Sequence, residues 1–356
     1  MDFRRYIPIA CLVIGVVALQ VILSAAQATF YMTQLTMAVY YSLVAVGLCL
    51  LMGYAGQVSL GHAGFFAIGG YCSASLTTWN LLPHAEAPAV RLLRGLGLLL
   101  ERRDLYGHDI LHISPWLAFA AAMLLAACTA LVIGVPVIRL KGHYLAMATL
   151  GFGVIVYRVV LGTPWLGEAD GFSDVPPFRV LGGLEINGRA AFRVSNYYVA
   201  WAVMAAVMVL GINLVHSRVG RALRSIHEGE EAAHSLGIDV ARYKLSVFVI
   251  SAILAALAGV LMTHYNGGIG PSEATALKSI RYVAIVAVGG MANLWGALAM
   301  GTVLNFLSLR GVFGSYDDAV FGLILITIML FAPRGIVRWP GLRFLLSRKP
   351  NEKPSP

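Results

Sequence analysis

The chain has 356 residues, 59% apolar and only 12% charged, with a formal net charge of +9 and a mean hydropathy of +0.78. Ordinary globular domains carry about a quarter of their residues as charges, so this balance excludes a soluble enzyme or binding module and points to a protein embedded in lipid. The basic excess falls on short loops and a tail, which calls for a membrane surface and for no nucleic-acid partner.

A helix crosses a bilayer with roughly 20 apolar residues. In chain order the candidate stretches are Ile7 to Ala28, Thr33 to Met52, Val58 to Trp79, Pro115 to Ile138, Tyr144 to Leu161, Tyr197 to Val215, Leu245 to Tyr265, Tyr282 to Leu307 and Ala319 to Ala332. The first, with Arg4-Arg5 before it and Ala26-Gln27-Ala28 at its end, has the outline of a signal peptide. It is long for a signal core and many passes follow, so it reads as a retained helix. Cys11, Cys49, Cys72 and Cys128 all fall in apolar spans and read as small core residues, not as a disulfide or metal framework.

From the end of the second stretch into the third runs GYAGQVSLGHAGFFAIGGY, Gly53 to Tyr71, with six glycines and the polar Gln57, Ser59 and His62. Lipid tolerates irregular backbone only where protein buries it or water lines it, so this segment is expected to face the bundle interior. Two uses are open. One is close packing, through the small-x-x-x-small pairs Ala63/Ala67 and Gly69/Ser73. The other is a broken helix whose free amides and positive end hold a substrate carboxylate. In that case Gly53, Gly56, Gln57, Ser59, Gly61, His62 and Gly64 line a translocation pathway. His62 has no second ligand at metal-binding spacing.

The insertion over 80–113 holds four arginines, and its apolar and basic residues alternate as in a helix lying at the lipid headgroups. A second loop follows over 164–196.

The segment 217–244 is the longest polar stretch on its side of the membrane. Val219, Leu223 and Ile226 form one apolar stripe on a basic helix that also carries Arg221 and Arg224. After Gly229 a second short helix opens on Glu230 and Glu231, whose charge suits a helix N-terminus. It presents Ala232, Ala233 and Leu236 on one face and stops at Gly237, a residue suited to a left-handed C-terminal position.

Tyr282 to Leu307 is two short apolar runs split by Gly289-Gly290 and Gly296. With Asn293 it resembles the first interruption in its small residues and single amide. Paired breaks in two halves of a transporter mark a pathway between them.

Orientation follows from the basic residues. Alternating passes place Arg4, Arg5, Arg139, Lys141, Arg218, Arg221, Arg224, Arg242, Lys244 and the basic tail after Pro333 in the cytoplasm, fifteen basic residues against nine outside. Nine full crossings would leave the tail outside. The expected fold is therefore all-α and polytopic, with about eight spanning helices plus one broken or re-entrant element, or else ten passes. It forms a single transmembrane domain over 1–349, with 350–356 a disordered cytoplasmic tail and both termini cytoplasmic.

Every Asp and Glu falls in a loop, an end or the insertion, so the buried carboxylates that serve ion-driven transporters have no counterpart here. None of the five lysines follows a glycine, so the chain has no phosphate-binding loop. If ATP drives it, another subunit must bind the nucleotide. No buried Asp pair, Ser-His pair or metal cluster points to an intramembrane enzyme, and no cofactor is expected on the chain itself. Arg158 reads as a residue that snorkels to the interface.

Glu231-Ala232-Ala233 and Gly237 resemble the Glu-Ala-Ala loop of ABC importer permeases, which inserts a coupling helix into the ATPase subunit. The usual Ile-x-Leu-Pro continuation is replaced by Val247 to Ile250. The form found here resembles the branched-chain amino acid permeases. SLGIDVARYKLSVFVISAILAALAGVL (Ser235 to Leu261), GQVSLGHAGFFAIGGY and LFAPRGI (Leu330 to Ile336) match that subfamily, and GEADGF (Gly167 to Phe172) matches it more loosely. The resemblance implies a permease subunit of the bacterial inner membrane with the ABC importer permease fold. It implies a LivH-like second permease, two ATPase subunits holding ATP and Mg, and a periplasmic solute-binding protein. Permeases for urea or short amides look alike within this subfamily, and a transporter or channel that works without ATPases is the remaining alternative. Whether the permease pairs with a relative or with itself stays open.

Overall fold

The computed structural model describes residues 6–331 apart from 85, 104–106, 108, 141, 181–182 and 313. Arg4, Arg5, Lys141, most of the LFAPRGI motif, the basic tail and 350–356 lie outside the described residues.

The helices run α1 (Ile7–Ala25), α2 (Phe30–Ala55), α3 (His62–Thr78), α4 (Pro88–Gly95), α5 (Pro115–Val137), α6 (His143–Gly162), α7 (Arg193–His216), α8 (Arg218–Glu228), α9 (Glu230–Ser235), α10 (Val240–Asn266), α11 (Ala276–Gly289), α12 (Leu294–Leu309) and α13 (Asp317–Phe331). Six of them, α1, α2, α5, α6, α7 and α10, are long and apolar enough to cross a membrane. Their ends carry local stop and start chemistry. Gly56 and Gly267 close α2 and α10 in the left-handed region, each at φ +68°, where only glycine sits without strain. Proline opens α4 and α5 at the first turn, where its missing N–H costs nothing.

The core forms around α2, which is buried along almost its whole length between α7, α10, α11 and α12. Against α10 lies α3, at backbone contact. A side chain at Gly69 would put its Cβ 2.3 Å from the Ala256 carbonyl oxygen, and one at Gly259 would come 2.0 Å from that of Phe66. At the edge of the bundle, α1 buries only Val16, but Tyr197 donates a 3.2 Å hydrogen bond to the Val16 carbonyl and Tyr6 one of 2.7 Å to Asn213. The first apolar stretch is thus an integral helix of the bundle.

The interrupted element 282–307 is a hairpin of α11 and α12. Its tip meets the far end of α2, where Cys49 Sγ and Tyr54 Oη reach the carbonyls of Met291 and Ala292 at 3.1 and 3.0 Å. At the other end of α12 the Phe306 ring lies 5.9 Å from Tyr31, at the start of α2. The α12 arm therefore runs alongside α2 from its start to its far end, and the element is two short antiparallel helices. With 14 and 16 residues the arms are about 21 and 24 Å long. The crossing is made by Gly289 and Gly296, which leave no room between them: a Cβ on Gly296 would lie 1.8 Å from the Gly289 oxygen.

The insertion departs from the expected surface helix. Among its described residues only Pro88–Gly95 is α-helical, and β1 (Leu99–Arg103) pairs with β2 (Asp109–Ile113) as an antiparallel hairpin. Short pairings of β3 (Phe172–Ser173) with β6 (Gly268–Ile269) and of β4 (Phe178–Arg179) with β5 (Glu185–Ile186) order the 164–196 loop. Arg102 binds Asp174 at 2.8 Å and ties the hairpin to that loop. Leu-Leu-Glu-Arg-Arg has no period-two alternation, and the partner that makes it a strand begins six residues on, at Asp109.

Candidate coupling surface and translocation pathway

At the end of the bundle away from the insertion, α8 and α9 form a helical knob. Ser217 Oγ caps α8 by accepting from the amides of Val219 and Gly220 at 3.1 and 3.3 Å. Leu223 and Ile226 are buried, Val219 packs against the core beside them, and Gly220 is the point of closest approach, where a Cβ would meet the Val215 oxygen at 2.2 Å. Arg224 donates to the Val215 carbonyl at 2.7 Å and lies 6.0 Å from the centre of the Tyr54 ring, while Arg221 reaches the His216 carbonyl at 3.4 Å. Arg221 and Arg224 thus bind backbone at the end of α7.

In α9, Glu230 and Glu231 occupy the first turn. Its far end closes with Gly237 at φ +79°, the Gly237 amide bonded to the His234 carbonyl and the Ile238 amide to that of Ala233. This is the paired closure that glycine makes after a helix. Glu230 forms an ion pair with Lys244, whose side chain is 6% exposed, and so bolts α9 to α10. The three apolar residues of α9 do not share one face. Ala233 is buried, whereas Ala232 and Leu236 point outward, with Leu236 79% exposed. Residues four apart share a helix face and adjacent ones stand about 100° apart, so Ala233 turns inward.

The Gly53–Gly64 segment begins in the same region. Gly56 lies against His227 of α8, where a Cβ would come within 2.7 Å of the ring Nδ1. Residues 57–61 then run as non-helical backbone into the bundle, and α3 starts level with the middle of α2. There the His62 Nε2 lies 2.7 Å from Ser251 Oγ of α10, and Ser251 in turn packs on Gly47. The segment is thus interior, as its composition required.

Several of its backbone amides are already in use. The Leu60 amide donates to Thr149 at 3.0 Å, the Ala63 amide to Ser279 at 3.1 Å and the Gly61 amide to Ser59 at 3.4 Å. His62 is sandwiched between Ser59 and Ser251. Gly61 and Gly64 pack on α6 at Thr149 and Phe152. This geometry is that of close packing. Gln57 alone stands apart: its side chain is 2% exposed and neither amide atom has a partner among the described residues.

The second interruption adjoins the first. A Cβ at Gly53 would lie 1.7 Å from the Met291 oxygen, so the tip of the α11–α12 hairpin sits on the last turns of α2. Gly290 takes φ +92°, and Asn293 Oδ1 caps α12 by accepting from the Gly296 amide at 3.2 Å. A cavity of about 190 Å³ separates Ala292–Trp295 from Val215 and His216. Both breaks and the α8–α9 knob thus meet at one end of α2.

Residues 30–330 match the family described as branched-chain amino acid transport system / permease component. The chain belongs to that family. It is similar to the high-affinity branched-chain amino acid transport system permease protein LivM of Escherichia coli K12, 31% identical over 85% of this chain and 68% of the relative. The LivH permease of the same organism is 26% identical over 84% of this chain and 92% of its own length. For BraD of Pseudomonas aeruginosa the values are 27%, 86% and 94%. No solved structure matches the chain.

Sequence reasoning missed one group of residues. Glu273 reads as a loop residue, between Gly270-Pro271 and Thr275, yet its carboxylate accepts from Tyr41 Oη at 2.9 Å and from Lys278 at 3.1 Å, with only 18% exposure. Arg281 pairs with Asp317 at 3.8 Å. The signal was a lysine and an arginine entering the apolar α11, which is legible only once α2 is known to lie beside it.

Proposed function

We propose that this chain is the membrane-spanning subunit of an ATP-driven importer in the bacterial inner membrane, and that it carries branched-chain or other hydrophobic amino acids inward. The observation that carries this reading is the α9 knob. It is a short helix with an outward leucine and alanine, a glycine stop, and an ion pair that fixes it to a long bundle helix. In this reading Leu236 and Ala232 seat in a cleft of the ATPase subunit, and a rigid mount passes a push on the knob to α10 and, through α8, to α2.

In this reading ATP and Mg are held by two separate ATPase subunits on the cytoplasmic side, a LivH-like permease completes the membrane unit, and a periplasmic binding protein delivers the solute. Both termini lie in the cytoplasm. Arg221, Arg224, Glu230, Glu231, Ala232, Ala233, Leu236 and Gly237 form the coupling loop. Gly53, Gly56, Gln57, Ser59, Gly61, His62, Gly64, Gly289, Gly290, Asn293 and Gly296 form the paired breaks that flank the cytoplasmic end of the pathway. There the glycines allow helices to shift, and Gln57 supplies hydrogen bonds to the passing solute.

The test is to purify the chain with its membrane partners and to measure uptake. A phosphate-loop ATPase should accompany it. Glu231→Lys and Gly237→Pro should each abolish uptake and leave membrane insertion intact, because proline can adopt neither the φ of Gly237 nor its amide hydrogen bond. Normal uptake by both variants would overturn the assignment.

A further inference from the structure

Glu273 lies on a short helical turn, Pro271–Ala274, that packs on α3 and α6. Its Oε1 accepts from both Tyr41 Oη and Lys278 Nζ, and Lys278 also stands 4.7 Å from the centre of the Tyr41 ring. The pair is nearly enclosed, at 22% exposure for Lys278 and 18% for Glu273. The second carboxylate oxygen, Oε2, is buried with no hydrogen-bond partner among the described residues. The hydroxyls of Tyr71 and Tyr282 are likewise buried without a partner among the described residues; Tyr71 is on α3, which packs on the Glu273 turn, and Tyr282 is on α11, one turn after Lys278. The Tyr282 ring is 6.5 Å from that of Tyr41, and Phe66 stacks on the other side of Tyr41 at 5.8 Å.

Buried polar atoms are almost always hydrogen-bonded, and ionisable groups inside a membrane bundle are costly. An ion pair that only stapled the turn to α2 would not require a free carboxylate oxygen and two free hydroxyls beside it. Those groups match a solute that carries both charges and none in sum. The open oxygen accepts from an ammonium, while the tyrosine hydroxyls and the remaining Lys278 N–H groups donate to a carboxylate. The aromatic rings of Phe66 and Tyr41 form the adjoining apolar wall. The neighbouring Arg281–Asp317 pair also leaves a buried carboxylate oxygen, Asp317 Oδ1, without a partner among the described residues, but Ser308 and the Phe321 ring close on it.

We propose that Glu273 and Lys278, with Tyr41, Tyr71 and Tyr282, form a binding site for the α-ammonium and α-carboxylate of an amino acid at the insertion end of the bundle. The site rests on the importer reading and adds to it the part of the solute that the permease reads.

The test uses the complete transporter in proteoliposomes with leucine as the probe. In Tyr71→Phe/Tyr282→Phe the lost hydroxyls have no partner among the described residues, so melting temperature and subunit assembly should not change. Leucine uptake should fall about tenfold or more, the weight of a hydrogen bond to a charged group. Glu273→Gln/Lys278→Met removes the ion pair without leaving an unpaired charge, and should also assemble but not transport. Wild-type uptake by either double variant would overturn the site, as would a fall in melting temperature of the tyrosine variant that parallels its loss of uptake. A wild-type transporter that accumulates no amino acid would overturn the importer reading itself, and this site with it.

Discussion

Replacing Glu230 by alanine should detach the coupling helix from the bundle. Lys244 is 6% exposed and Glu230 34%, so the substitution leaves a nearly desolvated ammonium without its counter-charge. Breaking a fully buried pair in this way costs about 3–5 kcal/mol, and the partial exposure of Glu230 reduces that to about 2–3 kcal/mol. At 1.36 kcal/mol per factor of ten, the docked state of α9 should lose a factor of about 30–150 against the undocked one. Hydrogen exchange at the amides of Ala233, Leu236, Gly237 and Ile238, all bonded in the closure of α9, reads this ratio directly. Exchange there should speed up by that factor, and ATP hydrolysis should continue with little solute uptake. Adding Lys244→Met removes the stranded charge and should bring exchange back to within about fivefold of wild type, a coupling of the kind that double-mutant cycles measure. Wild-type exchange and uptake in Glu230→Ala would refute the idea that this pair mounts the coupling helix.

Leu236→Asp should leave the melting temperature unchanged, because the side chain is 79% exposed, and should weaken ATPase binding by about 10–100-fold, the worth of one buried leucine, measured by titrating detergent-solubilised subunits. Gly296→Ala places a methyl group 1.8 Å from the Gly289 oxygen; the hairpin must part, and the yield of folded protein by size exclusion should collapse, whereas Gly322→Ala, with open space around it, should be silent. His112, at the base of the insertion hairpin, is pushed below its ordinary value of 6.5, first by burial and then by the nearby positive charges of Arg102 and Arg179. The folded state therefore binds its proton less well than the unfolded chain, and its stabilising contribution is present above pH 6.5 and lost as pH falls below that value toward the depressed one. Wild type should lose more melting temperature than His112→Gln between pH 7.5 and pH 5.

Much of the fold was legible because lipid imposes one rule, that apolar runs become helices. Each predicted span overlaps a helix, apart from 282–307, which is two, and the split there was visible at its glycines. The start of α3 was not. Val58, Ser59 and Leu60 are apolar enough to pass for a helix turn, and only the side chains of Thr149 and Ser279, which take up the Leu60 and Ala63 amides, show why the chain climbs unwound. The closing glycine and acidic first turn of α9 were readable from local chemistry, but the inward turn of Ala233 depends on α8 and α10 being beside it. The β-hairpin was hidden because its two strands become strands only when paired. Glu273 was hidden for a different reason. A residue's place in a loop says nothing of where its side chain reaches, and here the carboxylate reaches Tyr41, well inside α2.

The most direct measurement is solute accumulation in sealed vesicles. Vesicles that hold this chain with its companion permease, two ATPases and binding protein should concentrate leucine when ATP is present inside, and vesicles that hold this chain alone should not, with or without ATP. Accumulation by the chain alone would contradict the claim that the work of transport enters through the helix at Glu230 to Gly237.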